Sequence, residues 1–338
     1  MAGLERFARR WWGGELGVSG EVLGVLSAPA AWIWAGVVQA RARGAATGHR
    51  VGGLRVISVG NLAVGGTGKT PLAGWVARTV RASGSRACVL VGGGGADEAP
   101  LHRVWNPDVP VWSGRDRVAL ATRARAEGMD LAVLDDGFQH HALARDLDVV
   151  VLSADDPDPG KVLPRGPFRE SIRALERADL VIVTRRVADL ARARSLADGV
   201  DRRFPGLVLG AVHLVPGAWR GIGGAPAAPR TEDVLAVCGI GRPDAFAKAV
   251  ARRVTGTVEL YSFPDHHAFT AEDVARIRAR AAGRCIVVTE KDAVKLEAIL
   301  DVDGAESVHV LSDQLVWDWG EDGVRARVET VVADARVA

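Results

Sequence analysis

The chain has 338 residues, room for about two domains and a sizeable core. With 43 basic against 41 acidic residues its formal net charge is only +2, which argues against a dedicated nucleic-acid binder, and 48% hydrophobic with 25% charged residues is the balance of a soluble globular protein. Three isolated cysteines, Cys88, Cys238 and Cys285, exclude a disulfide framework and a zinc cluster. Lysine occurs only at Lys69, Lys161, Lys248, Lys291 and Lys295 in an otherwise arginine-rich chain, so each invites a specific role.

Residues 1–50 form a preface. Arg6, Arg9 and Arg10 precede Trp11-Trp12, and Val22 to Ala40 then runs without a charge before Arg41, Arg43 and Arg50. As a membrane span this run is at the short limit and is broken by Pro29, Gly24 and Gly36. A buried core helix is a second reading. An interfacial helix or helix pair, with Trp32 and Trp34 at headgroup depth and flanking arginines on anionic lipid, suits the residues best.

Val56 to Pro71 is predicted to be a buried strand, a glycine-rich loop and a helix start. Gly65, Gly66 and Gly68 let the backbone curl so that amides point inward, and the helix dipole adds its positive end. The expected ligand is polyphosphate, held by Ala63, Val64, Gly65, Gly66, Thr67, Gly68, Lys69 and Thr70. Lys69 reaches the β- and γ-phosphates and the Thr70 hydroxyl sits on Mg²⁺. Ala63 stands where the strict pattern has glycine, so GGTGKT carries the assignment. Dependence on ATP also speaks against a cleaved export leader for the preface.

A helix over Pro71–Ala82 and a strand over Arg86–Val91 follow, the strand emptying into four glycines before Asp97 and Glu98. Ligands of open α/β sheets gather at such strand ends. After a short strand at Val109–Trp112 and a helix over Arg115–Glu127, Leu131 to Asp135 is an apolar strand ending in Asp135-Asp136-Gly137. Mg²⁺ takes one or two carboxylates and keeps its waters, which fits this pair if the chain turns at once at Gly137. Strands at Asp148–Leu152 and Leu180–Thr184 bracket a proline-rich loop whose Arg165, Arg169 and Glu170 are candidates for a phosphorylated substrate or metal. The alternation implies a P-loop NTPase-like, mainly parallel α/β sheet with helices on both faces.

Residues 221–229 read as a linker, and a second, smaller α/β domain begins beyond it. Its predicted elements are strand Val234–Cys238, helix Pro243–Val254, strand Val258–Phe263, helix Ala271–Ala282 and strand Cys285–Thr289. Asp265-His266-His267 is a titratable cluster, with helix capping by Asp265 or Thr270 as the alternative use of the segment. Glu290-Lys291-Asp292 lacks the spacing that reads guanine. The domains expected are 1–50, 51–220, 221–305 and a return segment, 306–338, packing on the linker or the first domain.

VGNLAVGGTGKTP, DDGFQH, LPRGPFRE, CGIGRP, FPDHHAFT and VTEKDAVK, in this order and at these spacings, resemble the tetraacyldisaccharide 4′-kinase family, the lipid A 4′-kinases of Gram-negative bacteria. The resemblance implies ATP and Mg²⁺ as cofactors and an acylated glucosamine disaccharide 1-phosphate as acceptor of the γ-phosphoryl group at its 4′-hydroxyl. It further implies two α/β domains joined by two strands, attachment to the cytoplasmic face of the inner membrane, no nucleic acid and a monomer. Lys69 and Thr70 match the family's nucleotide loop, Asp135 and Asp136 its Mg²⁺ carboxylates, and Asp97 and His266 are similar to its catalytic pair, with Asp97 as base. Gln139, His140, Arg169, Glu170, Asp265 and Lys291 are further candidates around the substrate. Where the family carries an Arg-Gly-Tyr-Gly loop, Val91 here leads straight into glycines. The alternative is a membrane-associated switch ATPase of the partitioning or positioning type, which usually carries a lysine where this chain has Val64 and has no use for an Asp-His-His segment.

Overall fold

The computed structural model describes residues 7–337 except 9, 45–47, 94–96, 158, 230–231 and 301–306. Arg6, Arg9, Gly94, Gly95 and Ala96 therefore lie outside the described residues. Helices α1 (Gly17–Leu26) and α2 (Ala28–Gly44) precede β1 (Arg55–Asn61), α3 (Lys69–Ala82), β2 (Ala87–Gly92), α4 (Glu98–Trp105), β3 (Val111–Gly114), α5 (Arg117–Ala126), β4 (Leu131–Asp135), β5 (Leu147–Ser153), β6 (Leu180–Arg185) and α6 (Leu190–Asp201). There follow β7 (Val208–Gly221), β8 (Val234–Cys238), α7 (Pro243–Ala251), β9 (Val258–Ser262), α8 (Ala271–Ala281), β10 (Cys285–Thr289), α9 (Glu290–Leu296), β11 (Val308–Trp319) and α10 (Glu321–Val337). The central strands β1, β4 and β5 are apolar runs buried on both faces, as parallel sheets require. In β4, Leu131 and Val133 face α3 and α10, while Ala132 and Leu134 face α5. Thr270 caps α8 in a reciprocal pair with Asp273, which settles that residue's local role.

All described strands form a single sheet in the order β3-β2-β4-β1-β5-β6-β7-β11-β10-β8-β9. Pairing is parallel throughout except between β7 and β11, which run antiparallel. The run at 221–229, expected as a linker, begins at the end of β7 and leads toward β8 within this one sheet. The crossing between the halves is made by β7 itself and by β11, each long enough to belong to both. β11 runs on to Trp319, and Trp317 packs on the core with its ring 5.0 Å from that of Trp75. Val324, Val328, Val331 and Val332 of α10 then enter the same core as Ile57 and Leu72. At the loop after β1, Gly60 has no room for a side chain: a Cβ would stand 2.6 Å from that of Phe138.

Candidate functional site

The loop after β1 is shaped by groups on three sides. Buried Asn61 donates to Ala63 O at 2.8 Å and to Thr67 Oγ1 at 2.6 Å, Thr184 Oγ1 at the end of β6 donates to Thr67 O at 2.6 Å, and Val64 N donates to Pro167 O at 2.8 Å. Gly68 takes φ 90°, so the chain enters α3 from a left-handed residue and the unbonded first-turn amides face the loop's hollow. Lys69 is buried and its ammonium lies 2.8 Å from Glu98 Oε1. Burial works against its charge, but Asp135, Asp136 and Glu98 outweigh it and hold its pKa above the usual lysine value. Val64, expected at the phosphates, has its amide already committed to Pro167. Asn61 and Thr184, which shape the loop, were assigned no role from sequence; the asparagine stands inside the motif, whereas nothing local marks the threonine.

Asp135 closes β4 fully buried, with Oδ2 3.0 Å from His102 Nε2 and Oδ1 without a partner. Burial would raise its pKa, and Lys69, His102 and Thr70 instead lower it. The turn that follows is not made by Gly137: Asp136 itself adopts φ 58°. That conformation, costly for a residue with a Cβ, swings its carboxylate to Arg169, whose Nη1 lies 3.1 and 3.2 Å from its two oxygens. Gln139 accepts from the same Arg169 at 3.2 Å and donates to Glu170 at 3.1 Å, while Glu170 also pairs with Arg177 at 2.8 Å. Four of the expected residues thus form one network beyond the end of β4. His140 does not join it; its Nε2 is buried without a partner, and burial with Arg117 and Arg145 lowers its pKa.

A second cluster meets it from the other half of the sheet. Asp97, at the cap position of α4, is 2% exposed, and its Oδ2 lies 3.5 Å from His266 Nδ1, 3.5 Å from Lys295 Nζ and 3.9 Å from Lys291 Nζ. Burial works to raise this carboxyl, but His266, Lys291 and Lys295 together hold it far below the usual carboxylate range. His266 has φ 57° and its amide donates to Gly239 O and to Asp265 Oδ1, both at 3.1 Å, which aims the ring across the seam. The two adjacent histidines part company: His267 Nε2 lies 3.0 Å from Asp273 Oδ2 and its ring stacks on Phe263. Helix α4 ties both clusters together, Asp97, Glu98, His102 and Trp105 each touching a different partner. The last donates through Nε1 to Glu290 Oε1 at 3.1 Å, and Glu290 also pairs with Arg220 and accepts from Asp313 N. His102, Lys295 and Glu290 were missed as site residues because their partners are remote in sequence.

A phosphate loop at the end of a central parallel strand, a buried lysine at the next helix start and acidic groups on the neighbouring strand end define a P-loop phosphotransferase. Residues 23–333 match the family model of tetraacyldisaccharide-1-P 4′-kinase. Similar proteins include the tetraacyldisaccharide 4′-kinases of Anaeromyxobacter sp. (strain K), 37% identical with 99% of this chain and 97% of that one covered, and of Syntrophobacter fumaroxidans, 37% identical over 80% and 78%. A crystal structure of LpxK from Aquifex aeolicus in complex with ATP shares the fold, with TM-score 0.69 and 22% identity over 92% of this chain and 99% of that one. The chain belongs to the tetraacyldisaccharide-1-P 4′-kinase family, a kinase of lipid A biosynthesis, and the switch-ATPase alternative is set aside.

Proposed function

We propose that the chain transfers the γ-phosphoryl group of ATP to the 4′-hydroxyl of tetraacyldisaccharide 1-phosphate, with Asp97 taking the hydroxyl proton. The observation that carries this reading is the meeting, on one helix, of Glu98 against the phosphate-loop Lys69 and Asp97 against His266 of the opposite half. The hollow of the loop and Lys69 would hold the polyphosphate, Lys69 exchanging Glu98 for phosphate oxygens. No group of three or more His, Cys, Asp or Glu fit to hold a metal occurs among the described residues. That suits Mg²⁺, which needs few protein ligands when phosphates supply the rest. Asp135 Oδ1, buried without a partner beside Thr70, fits such an ion, and Asp136 would join it by leaving Arg169. When bound, Mg²⁺ supplies charge neutralisation at the phosphates.

Asp97 is a weak base by its pKa, and the reaction tolerates that: in a loose transition state the hydroxyl proton leaves late, so position matters more than basicity. His266 orients the carboxylate, and 3.5 Å is just beyond hydrogen-bond range, so a small closure of the halves would complete the pair. The test is mass spectrometry of tetraacyldisaccharide 1-phosphate after incubation with the full chain, Mg²⁺ and ATP in mixed micelles. One added phosphoryl group is expected. ATP hydrolysis with no lipid product would overturn the reading.

The helix pair supports attachment to the cytoplasmic face of the inner membrane. No single helix among the described residues is long and apolar enough to span, though α1 with residues 28–40 passes that test as a pair bent by 54°. Val18, Val22, Val25, Leu26, Trp32, Ile33 and Val37 are all exposed, an apolar surface of the kind that lies in a lipid interface. Trp34 and Trp12 donate their indole N–H to the carbonyls of Arg169 and Pro164 at 2.8 and 2.9 Å, tying the pair to the loop beside Asp136. Deleting residues 1–40 is expected to reduce sedimentation with anionic vesicles at least about tenfold. Undiminished binding would return the helices to a packing role.

A further inference from the structure

Lys295 is a basic group at the site whose position the phosphate loop does not explain. It sits on α9, in the half of the sheet remote from that loop, and its side chain is 15% exposed. Its ammonium is buried without a hydrogen-bond partner, 3.5 Å from Asp97 Oδ2 and 3.8 Å from Asp292 Oδ1. Asp292 Oδ2 accepts from Gly239 N at 3.0 Å and from Thr289 Oγ1 at 2.6 Å, while its Oδ1, the oxygen toward Lys295, has no hydrogen-bond partner. An ammonium carries three donors, and here none is engaged in good geometry. Lys291, nearby at 3.9 Å from Asp97, is 33% exposed and has solvent for its donors.

The arrangement mirrors the one on the loop side. Lys69 rests on Glu98 and Lys295 rests on Asp97, adjacent carboxylates at the start of α4, one lysine from each half of the protein. In the reaction proposed above, the acceptor oxygen must be within hydrogen-bond reach of Asp97, and the transferring phosphorus within about 3.5 Å of that oxygen. A cation already 3.5 Å from Asp97 then stands one side-chain rotation from the equatorial oxygens of the transferring group.

We propose that Lys295 is a catalytic residue of the transfer, a second phosphate-binding lysine delivered by the distal half of the sheet. It leaves Asp97 for the phosphoryl group as the acceptor oxygen to phosphorus bond forms and the bond from phosphorus to the β-phosphate oxygen breaks. The nucleoside diphosphate departs with that electron pair, and the hydroxyl proton passes to the Asp97 oxygen that Lys295 vacates. The groups facing Asp97 are His266, Lys291 and Lys295, with Glu98, Asp265 and Asp292 as acidic neighbours.

The proposal rests on the kinase reading, and the experiment separates the two. In the full chain, Lys295→Met is expected to lower kcat for tetraacyldisaccharide 1-phosphate about 100-fold, as loss of a preorganised charge contact does. Affinity for ADP alone should stay within about threefold, whereas affinity for ADP with aluminium fluoride, which mimics the transferring group, should fall about 100-fold. Lys295→Arg, which keeps charge and bulk, is expected to retain most of that fluoride-dependent affinity. Turnover of the methionine variant within about threefold of the unsubstituted chain, or an unmoved fluoride-dependent affinity, would overturn the assignment. A loss in the arginine variant as large as in the methionine one would also overturn it, by showing a packing requirement. Failure of the unsubstituted chain to form product would instead sink the kinase reading.

Discussion

Lys69→Ala is expected to lower kcat/KM for phosphoryl transfer by about 10³-fold or more, the scale of losing a fixed cation at a transferring phosphate. Two effects must be separated, because Lys69 and Glu98 are a buried pair, 11% and 10% exposed in their side chains. Removing one partner leaves Glu98 as a buried charge without its cation, which costs about 3–5 kcal/mol of stability. The companion variant Lys69→Ala with Glu98→Ala removes both and should regain much of the melting temperature without regaining turnover. If turnover returned with stability, Lys69 would be a folding residue and the phosphate-loop assignment would fall.

Asp97→Asn keeps shape and removes the proton acceptor, with an expected loss of about 10³-fold in kcat. His266→Ala should lower turnover by about 10- to 100-fold while ATP affinity changes little, because the imidazole positions Asp97 from outside the phosphate loop. An unchanged kcat would remove His266 from the mechanism. The contact also carries a pH signature whose sign follows from the shifts. The Asp97 carboxylate raises the His266 pKa above 6.5, so this histidine's contribution to stability is whole below pH 6.5 and is lost as pH climbs through the folded value. Asp97 is lowered from 3.8, so its contribution is present above that pH and lost as pH falls through its own folded value. The difference in melting temperature between the unsubstituted chain and His266→Gln should therefore be largest between pH 3.8 and 6.5 and shrink on the alkaline side. A difference that stays constant from about pH 5 to about pH 9 would show that the two groups do not interact.

Local features of the site were legible in the sequence, whereas most contacts between residues remote in the chain were not. The phosphate loop is local: glycines permit the curl, and lysine followed by threonine at a helix start has one obvious use. Asp135 and Asp136 were visible as strand-end carboxylates, but the turn was assigned to Gly137, since a left-handed aspartate is disfavoured until Arg169 compensates for it. His102 was invisible: a histidine in a short amphipathic helix looks like core, and only the packing of α4 on β4 brings it to Asp135. Arg242 is a similar case, standing in the quoted CGIGRP segment yet bridging to Asp155 and Asp156 of the first half.

The two joining strands were implied by the family resemblance, but their extent, Val208–Gly221 and Val308–Trp319, was not read from the sequence. Only pairing across 88 to 108 residues of chain, from His309 against Gly221 to Trp319 against Ala211, makes them the seam of a single sheet. By itself, then, the sequence determined the class of fold, the phosphate-binding loop and the family, because each rests on local periodicity or on motifs read within a few residues. The tertiary structure alone decided that Glu98 would be paired with Lys69 and that Lys295 would join the Asp97–His266 pair that the family resemblance implied. Burial works against those charges and opposite charges from other elements offset it, and no local rule of sequence records which distant groups a folded sheet will bring together.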